Sequence, residues 1–140
     1  MRILLLAAGY ATRMHPLTLD KAKPLLEVGG LPVITRLLNA LLSKTPADEV
    51  VVVTNHKFAA DFEEWATSYM SSEGSEVDVH VIDDGSTSDE DKLGAIGDMA
   101  LGMSSNPEDD WLVAAADNLI ETDISPQFEL FREHGDAILT

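Results

Sequence analysis

The sequence predicts an α/β fold in which a mostly parallel sheet is built from successive strand–helix units. Short apolar runs alternate along the chain with segments whose apolar residues recur every three to four positions. Turn-forming residues separate these segments, and no repeat, linker or low-complexity stretch interrupts them. Such alternation is typical of parallel strands joined by right-handed helical crossovers. We therefore expect residues 1–140 to form a single domain.

The first half of the chain contains two predicted strands, each followed by a predicted helix. Residues 2–6 are a short apolar run, and residues 49–54 are β-branched and continuous, as in a strand covered on both faces. Pro32 precedes the first helical pattern, where its missing N–H costs little. The apolar face of that helix comprises Ile34, Leu37, Leu38, Leu41 and Leu42. The second face comprises Phe58, Phe62, Trp65, Ala66 and Tyr69, with Gly74 as the expected helix stop.

The second half continues the pattern. A third strand begins with alternating valines over 77–81 and enters an acidic loop at 83–91. The third helical face comprises Leu93, Ile96, Gly97, Ala100 and Leu101. A fourth strand covers 111–116, and Ser125 followed by Pro126 indicates a capped helix start, with Gly135 at the helix end. Residues 136–140, with an apolar centre at 137–139, look like the beginning of a fifth strand. They suggest that the chain is the N-terminal portion of a longer domain, although a compact domain can also end on an edge strand.

The net charge of −16 is large for this length and restricts the partners that the protein can have. It argues against non-specific binding to nucleic acid, whose phosphates would be repelled. Nine residues are Lys or Arg, and three of them, Arg13, Lys21 and Lys23, fall within eleven positions. Positive charge is therefore concentrated in one segment. The acidity elsewhere is read as a solvated surface.

The sequence lacks the signals of membrane or secreted proteins. Its apolar runs are shorter than the roughly 18–20 residues that span a bilayer. The apolar opening of residues 3–6 is also too short for a signal peptide. There are no cysteines, which excludes disulfides and thiolate chemistry. We expect a cytoplasmic protein without a membrane partner.

The segment after the first strand has the composition of a phosphate-binding loop. In open α/β sheets, ligands bind beyond the carboxyl ends of the strands. Small residues at 7–9 and 11 allow backbone N–H groups to approach phosphates closely, and Thr12 adds a hydroxyl donor. Arg13 offers a planar fork for phosphate oxygens, and Lys23 offers a point charge. The segment is neither a Walker A loop nor a dinucleotide fingerprint, because the closing residues of both are missing.

This segment resembles the signature of NDP-sugar pyrophosphorylases, the sugar-1-phosphate nucleotidyltransferases, which reads L-x-[GA]-G-x-[GA]-T-R-[LM]-x-P-L-T-x-x-x-P-K-P-L. The chain departs from it at Ala22, where the family usually has proline. It matches at Leu6, Ala8, Gly9, Ala11, Thr12, Arg13, Met14, Pro16, Leu17, Thr18, Lys23, Pro24 and Leu25. The resemblance implies a three-layer, Rossmann-like fold of the GT-A nucleotidyltransferase type. It also implies that residues 1–140 are the N-terminal portion of a longer catalytic domain.

The resemblance implies a reaction in which a nucleoside triphosphate and a sugar 1-phosphate give an NDP-sugar and pyrophosphate, with Mg²⁺ as cofactor. The backbone from Ala8 through Gly9 and Tyr10 to Ala11, with Thr12, would hold the base, ribose and phosphates. Arg13 would grip the β- and γ-phosphates, and Lys23 would neutralise charge that develops on the α-phosphate. For Lys21, help in phosphate binding and a solvated loop position are equally good interpretations. The role of the protein in such a transfer is mainly positioning and charge stabilisation.

Two further positions follow from the resemblance. Asp117 stands directly after the fourth strand, where the family has a metal-binding aspartate; a turn cap is the alternative. The second metal aspartate of the family has no counterpart before Thr140. Gly94 corresponds to the glycine that opens the helix around the base, but the base-reading glutamine of thymidylyl- and uridylyltransferases is absent. The sequence therefore leaves the base open. A calcium loop over residues 83–91 lacks the required spacing and closing glutamate.

Several readings of the whole chain remain open at this point. One is a nucleotide-binding or regulatory module that has lost catalysis, although the presence of both Arg13 and Lys23 disfavours it. A second is a structural domain that dimerises through an unpaired edge strand, giving a homo-oligomer. Choline-phosphate cytidylyltransferases have similar loops, so the acceptor need not be a sugar.

Overall fold

The computed structural model describes residues 1–72 and 76–136. Within these ranges the strands are β1 (Arg2–Leu6), β2 (Glu27–Val28), β3 (Leu31–Pro32), β4 (Glu49–Thr54), β5 (Asp78–Asp83) and β6 (Trp111–Ala115). The α-helices are α1 (Val33–Leu42), α2 (Ala59–Met70), α3 (Gly94–Met103) and α4 (Ser125–His134). Gly74 and residues 137–140 of the predicted fifth strand lie outside the described residues.

The central sheet is parallel, as the alternation of strands and helices predicts. Its strand order is β5-β4-β1-β6, with β1 paired to β4 on one side and to β6 on the other. The chain therefore builds outward from β1 through β4 to β5 and then crosses back to add β6. This reversal of direction creates a switch point at the carboxyl ends of β1 and β6, where open α/β sheets bind ligands.

Two apolar clusters cover the two faces of the sheet, which gives the expected three layers. On one face α1 and α2 pack on Ile3, Leu5, Val50 and Val52 of β1 and β4. On the other face α3 packs on Leu4, Val51 and Val53. Adjacent residues of β1 and β4 are thus buried on opposite faces, which explains why these strands are continuously apolar. The predicted faces of α1 and α2 are confirmed.

The predicted apolar face of α3 is wrong. Leu93 lies before the helix and is 50% exposed, and Ile96 is 84% exposed. The buried residues of the helix are Asp98 and Gly102. The apolar residues of α3 are distributed around the whole helix, so their spacing does not predict which face is buried. Packing selects the face instead: a Cβ at position 102 would lie 2.5 Å from Leu4 Cδ1, so glycine is what allows this close approach to the sheet.

Two smaller features also differ from the expectation. Ser125 is the first residue of α4 rather than its cap, and Asp123 Oδ1 accepts hydrogen bonds from the Ser125 amide and hydroxyl. The antiparallel β2–β3 hairpin was not predicted. Its two-residue turn consists of Gly29 and Gly30, both with positive φ, which is the usual chemistry of a tight hairpin. In the described ranges, no helix is both long enough and apolar enough to cross a bilayer.

Candidate functional site

The segment between β1 and α1 occupies the switch point of the sheet; residues 7–25 of it are called the β1 loop below. The loop starts as a continuation of β1, since the Ala7 amide donates to the Val53 carbonyl at 2.8 Å. Gly9 is exposed, and a Cβ there would meet no atom within 4 Å, so the backbone is accessible. Ala11 has a left-handed conformation with φ 47°. The buried Thr18 hydroxyl holds this bend by donating to the Ala11 carbonyl at 2.8 Å.

A buried amide that was not predicted from the sequence holds the start of the β1 loop. Asn55 follows β4 directly and is completely buried. Its Nδ2 donates to the Ala8 carbonyl at 3.1 Å, and its Oδ1 accepts from the Phe58 amide at 3.2 Å. The same side chain thus supports the loop and the turn that leads into α2. A polar residue at the carboxyl end of a buried strand is the signal that could have identified it.

Two cationic side chains of the β1 loop lie in different surroundings. Arg13 lies in a 3-10 turn, Thr12–Met14, and is exposed. Within the described ranges it forms no ion pair, so its guanidinium is available to a ligand. Lys23 begins a second 3-10 turn, whose Pro24 and Leu25 are buried and anchor it. The sequence therefore fixes the lysine on the core and leaves the arginine at the surface.

Lys23 reaches Asp117, the residue that the sequence analysis assigned to a metal. Its Nζ lies 2.7 Å from Asp117 Oδ2, and both side chains are about a third exposed (36% and 38%). Asp117 is placed by β6, since the Ala116 amide before it donates to the Leu6 carbonyl at 2.9 Å. The fold therefore brings together residues 94 positions apart in the sequence. This pair lies at the carboxyl ends of β1 and β6.

The donor set around Asp117 is of the kind that Mg²⁺ uses. In the described part of the chain no three His, Asp or Glu side chains converge to form a protein cage. Mg²⁺ is commonly held by one or two carboxylates together with substrate phosphates and waters. Asp117 therefore fits a site that is completed by a bound polyphosphate, whereas calcium, which prefers six to eight oxygen ligands, would lack partners here.

The loop from β5 to α3 contacts the β1 loop at Tyr10. The Tyr10 hydroxyl donates to the Ser86 carbonyl at 2.9 Å. Burial raises the pKa of Tyr10, and the charges of Asp91, Asp84 and Asp83 act in the same direction. Gly94 ends this connection and begins α3 with a positive φ of 76°. The predicted base-side segment is thus tied to the predicted phosphate-binding segment through Tyr10.

Two carboxylates of the acidic loop, Asp89 and Asp91, have local partners. Asp91 accepts hydrogen bonds from the backbone and hydroxyls of Ser88 and Thr87, and the backbone donors lower its pKa to about 2. Asp89 pairs with Lys92 at 2.8 Å. These contacts join both side chains to neighbouring residues of the loop, which gives this part of the acidic sequence a structural role.

A cavity of about 330 Å³ lies at the opposite end of the sheet from the β1 loop. Its lining includes Arg2, which pairs with Glu49 and Asp109. Ligand chemistry in parallel sheets lies at the carboxyl ends of the strands, and this cavity lies at the amino ends. We therefore place the candidate site at the β1 loop and Asp117.

Comparison with known proteins identifies the family of the chain. The family model described as nucleotidyl transferase matches residues 2–140. A UTP–glucose-1-phosphate uridylyltransferase of Synechocystis is 30% identical over 146 residues, covering 100% of this chain and 36% of that protein. The mannose-1-phosphate guanylyltransferase 1 of Arabidopsis thaliana is 26% identical over 144 residues, covering 96% and 36%. The chain thus spans about a third of the length of these two curated relatives.

Solved structures share the fold. A UDP-glucose pyrophosphorylase from Acinetobacter baumannii superimposes with a TM-score of 0.75 at 18% identity, over 96% of this chain and 53% of that one. HddC from Yersinia pseudotuberculosis, complexed with GMP-PN, gives 0.73 at 20%, over 93% and 53%. The three-layer, Rossmann-like architecture expected from the resemblance is therefore confirmed. Because the family model matches nearly the whole of this chain, the chain belongs to the nucleotidyl transferase family.

Proposed function

We propose that the protein is part of an enzyme that transfers a nucleoside monophosphate from a nucleoside triphosphate to a sugar 1-phosphate, with release of pyrophosphate. The observation that carries this proposal is the convergence of the β1 loop, Lys23 and Asp117 at the switch point of the sheet. The curated relatives support it, since a uridylyltransferase and a guanylyltransferase both act, by their names, on sugar 1-phosphates. These relatives differ in their base, so the proposal leaves the base open.

The proposed roles follow from exposure and charge. The open backbone around Gly9, with Ala8, Tyr10, Ala11 and Thr12, would lie against the nucleotide. Arg13, exposed at the next turn, would grip the β- and γ-phosphates and stabilise departing pyrophosphate through its planar fork. Lys23 would neutralise charge on the α-phosphate as the acceptor attacks. Charge-assisted hydrogen bonds of this kind stabilise a transition state that needs little covalent work from the protein.

Mg²⁺ is the cofactor that we propose for this site, with Asp117 as its ligand from the described residues. When bound, it would supply charge neutralisation and orientation of the phosphate oxygens. Asp117 Oδ2 accepts from Lys23, so the same carboxylate would hold the lysine and the metal close to the phosphates. Gly94 would lie near the base, because its loop is bound to Tyr10.

The location and the partners of the protein are also part of this proposal. We propose a cytoplasmic location, where nucleoside triphosphates and Mg²⁺ are abundant. The net charge of −16 disfavours nucleic acid as a partner. We also propose that the protein forms a homo-oligomer, which a sedimentation measurement would test.

Calorimetric titration of the protein with Mg²⁺ and each nucleoside triphosphate in turn tests the nucleotide site. We expect saturable binding of one base, and a loss of about 10- to 100-fold in affinity for Arg13→Ala, because two charge-assisted hydrogen bonds are removed. Lys44→Ala is the control: it removes one positive charge from an exposed site outside the β1 loop and should change affinity less than about three-fold.

Turnover is tested separately by pyrophosphate release in the presence of sugar 1-phosphates. We expect Lys23→Ala to reduce the rate at saturating nucleotide by at least about 100-fold, as for the loss of one charge-stabilising donor. Wild-type rates in both Arg13→Ala and Lys23→Ala would refute the mechanism. Binding of a nucleotide without any turnover would favour the nucleotide-binding module instead.

A further inference from the structure

The proposed reaction uses the backbone of Tyr10 but not its phenol side chain. Residues 7–11 belong to no helix or strand, so their conformation depends on contacts with other parts of the chain. The family signature leaves position 10 unspecified, so a role of this side chain would be a property of this chain. The Tyr10 hydroxyl donates to the Ser86 carbonyl at 2.9 Å and lies 3.4 Å from the Ser86 hydroxyl. It thus joins the β1 loop to a residue 76 positions away in the sequence.

The Ser86 carbonyl that accepts from Tyr10 belongs to a turn that the fold holds in place. Ser86 is 3% exposed, and its amide donates to Asp84 Oδ1 at 2.7 Å. The same carbonyl also accepts from the amide of His56, two residues beyond β4, at 3.0 Å. The Asp84 amide donates to the last carbonyl of β4 at 2.8 Å. Residues 84–86, called the 84–86 turn below, are therefore attached to the central sheet, and Tyr10 attaches the β1 loop to them.

Two side-chain hydrogen bonds hold the residues on either side of the exposed Gly9. The Asn55 amide donates to the Ala8 carbonyl before it at 3.1 Å, and the Tyr10 hydroxyl after it donates to Ser86. Gly9 lies between these two anchors, and a glycine without them would have more conformational freedom than any other residue type. A loop that already has its ligand-binding conformation binds more tightly, because less conformational entropy is lost on binding.

We propose that Tyr10 is a positioning residue of the nucleotide site: its hydrogen bond to the Ser86 carbonyl holds the Gly9 backbone in the conformation that meets the triphosphate. This inference rests on the proposed function, because the β1 loop is taken as the nucleotide site. The hydroxyl is engaged by Ser86, so its effect on the nucleotide passes through the backbone that it holds. The same bond fixes the β1 loop relative to the segment that leads from the 84–86 turn to Gly94, the proposed base side.

Removal of the hydroxyl should affect the β1 loop more than the stability of the fold. In Tyr10→Phe the buried Ser86 carbonyl keeps the His56 amide as a donor, so it is not left without a partner. The phenylalanine ring has nearly the same volume as the tyrosine ring, so the packing is retained. We therefore expect a fraction of the molecules to have the β1 loop in other conformations. The apparent dissociation constant of the nucleotide rises in proportion as the competent fraction falls.

Calorimetric titration compares wild type, Tyr10→Phe and Tyr69→Phe, with the Mg²⁺ complexes of ATP, GTP, CTP, UTP and dTTP as probes. For the nucleotide that wild type binds, we expect the dissociation constant of Tyr10→Phe to rise about three- to ten-fold, as for loss of one hydrogen bond. The number of sites per molecule should stay that of wild type. Tyr69→Phe is the matched control, because the Tyr69 hydroxyl donates to Asn39 Oδ1 at 2.8 Å between α2 and α1. It removes a comparable hydrogen bond outside the candidate site and should leave the dissociation constant unchanged.

The stoichiometry of binding separates positioning from a purely structural role. If Tyr10 served the fold only, Tyr10→Phe would reduce the number of binding-competent molecules and leave the dissociation constant unchanged, and this result would overturn the proposal. An unchanged dissociation constant at full stoichiometry would overturn it as well. So would an equal rise in Tyr69→Phe, which would show a general effect of a lost hydroxyl.

A second measurement separates this inference from the proposed function, because it needs no nucleotide. Hydrogen exchange of single amides, followed by NMR, reports on the bonds that the His56 and Ser86 amides donate within and around the 84–86 turn. In Tyr10→Phe we expect both amides to exchange about three- to ten-fold faster than in wild type, because the turn opens more easily without the hydroxyl. Amides within α1 should keep their rates. Faster exchange without nucleotide binding by wild type would contradict the proposed function and leave the Tyr10–Ser86 contact intact; unchanged exchange would contradict the contact itself.

Discussion

Asn55 shows, at the scale of single residues, how one buried amide supports the candidate site. Both ends of its side chain are used, one by the Ala8 carbonyl and one by the Phe58 amide. A buried carbonyl that loses its partner costs about 1–3 kcal/mol, and a buried amide N–H costs a similar amount. The side chain therefore contributes to the stability of the fold and to the conformation of the β1 loop at once.

We expect Asn55→Ala to lower the free energy of unfolding by about 2–4 kcal/mol, since both partners are left unsatisfied in the core. Urea denaturation followed by circular dichroism measures this change. Asn118→Ala is the control, because Asn118 is exposed and should stay within about 0.5 kcal/mol of wild type. A loss for Asn55→Ala no larger than that of the control would contradict the role given to the amide.

The pair of His56 and Asp83 offers a residue-scale prediction that depends on pH. His56 Nδ1 lies 2.6 Å from Asp83 Oδ2, and this contact raises the pKa of His56 and lowers that of Asp83. The stability due to the charged histidine is complete below its ordinary pKa of 6.5 and is lost as pH rises through the raised value. NMR titration of the imidazole should give a pKa above 6.5 in wild type and a lower one in Asp83→Asn. An unchanged pKa in the variant would show that the contact is absent in solution.

At the scale of elements, the packing of α3 depends on a single glycine. A Cβ at position 102 would lie 2.5 Å from Leu4 Cδ1 and 3.0 Å from Val53 Cγ2, so a side chain there must displace these core residues or move α3 away from the sheet. The same helix carries Asp98 and begins at Gly94. Displacement of the helix would therefore disturb the proposed base side of the candidate site as well as the core.

Gly102→Val should destabilise the protein by about 1–3 kcal/mol through overpacking, despite the better helix propensity of valine. Thermal unfolding monitored at 222 nm is the measurement. Ala95→Val provides the matched control, since Ala95 is exposed on the same helix and loses only a few tenths of a kcal/mol of propensity. Equal losses for the two variants would mean that α3 does not approach the sheet as closely as the structure has it.

The whole molecule carries a net charge of −16, which acts on the stability of the fold through self-repulsion. Salt screens this repulsion, since the Debye length falls from about 10 Å at 0.1 M to about 3 Å at 1 M. We expect the midpoint of thermal unfolding to rise by about 5 °C between 0.05 M and 1 M KCl at pH 7.5, a shift that corresponds to about 1–2 kcal/mol. Near pH 4.3, the isoelectric point, the same salt change should have little effect. A midpoint that is independent of salt at pH 7.5 would rule out self-repulsion as a significant term.

The elements themselves followed closely from local patterns in the sequence. The faces of α1 and α2 and the apolar strands β1 and β4 were predictable, because their buried residues differ clearly from their exposed ones. The β2–β3 hairpin was missed although its Gly29-Gly30 turn was visible in the sequence. The face of α3 was wrong, because a helix that is apolar on all sides has no period that could orient it.

By itself the sequence determined the fold class, the order of its elements and the segment that holds Arg13 and Lys23, because alternating patterns and a fixed motif are local properties of the chain. The tertiary structure alone decided the contact of Lys23 with Asp117, the support of Ala8 by Asn55 and the close approach of Gly102 to Leu4. Each of these contacts joins residues from different strands, loops or helices. Their distance depends on strand order and on close packing between elements, and neither is written in the spacing of residues along the chain.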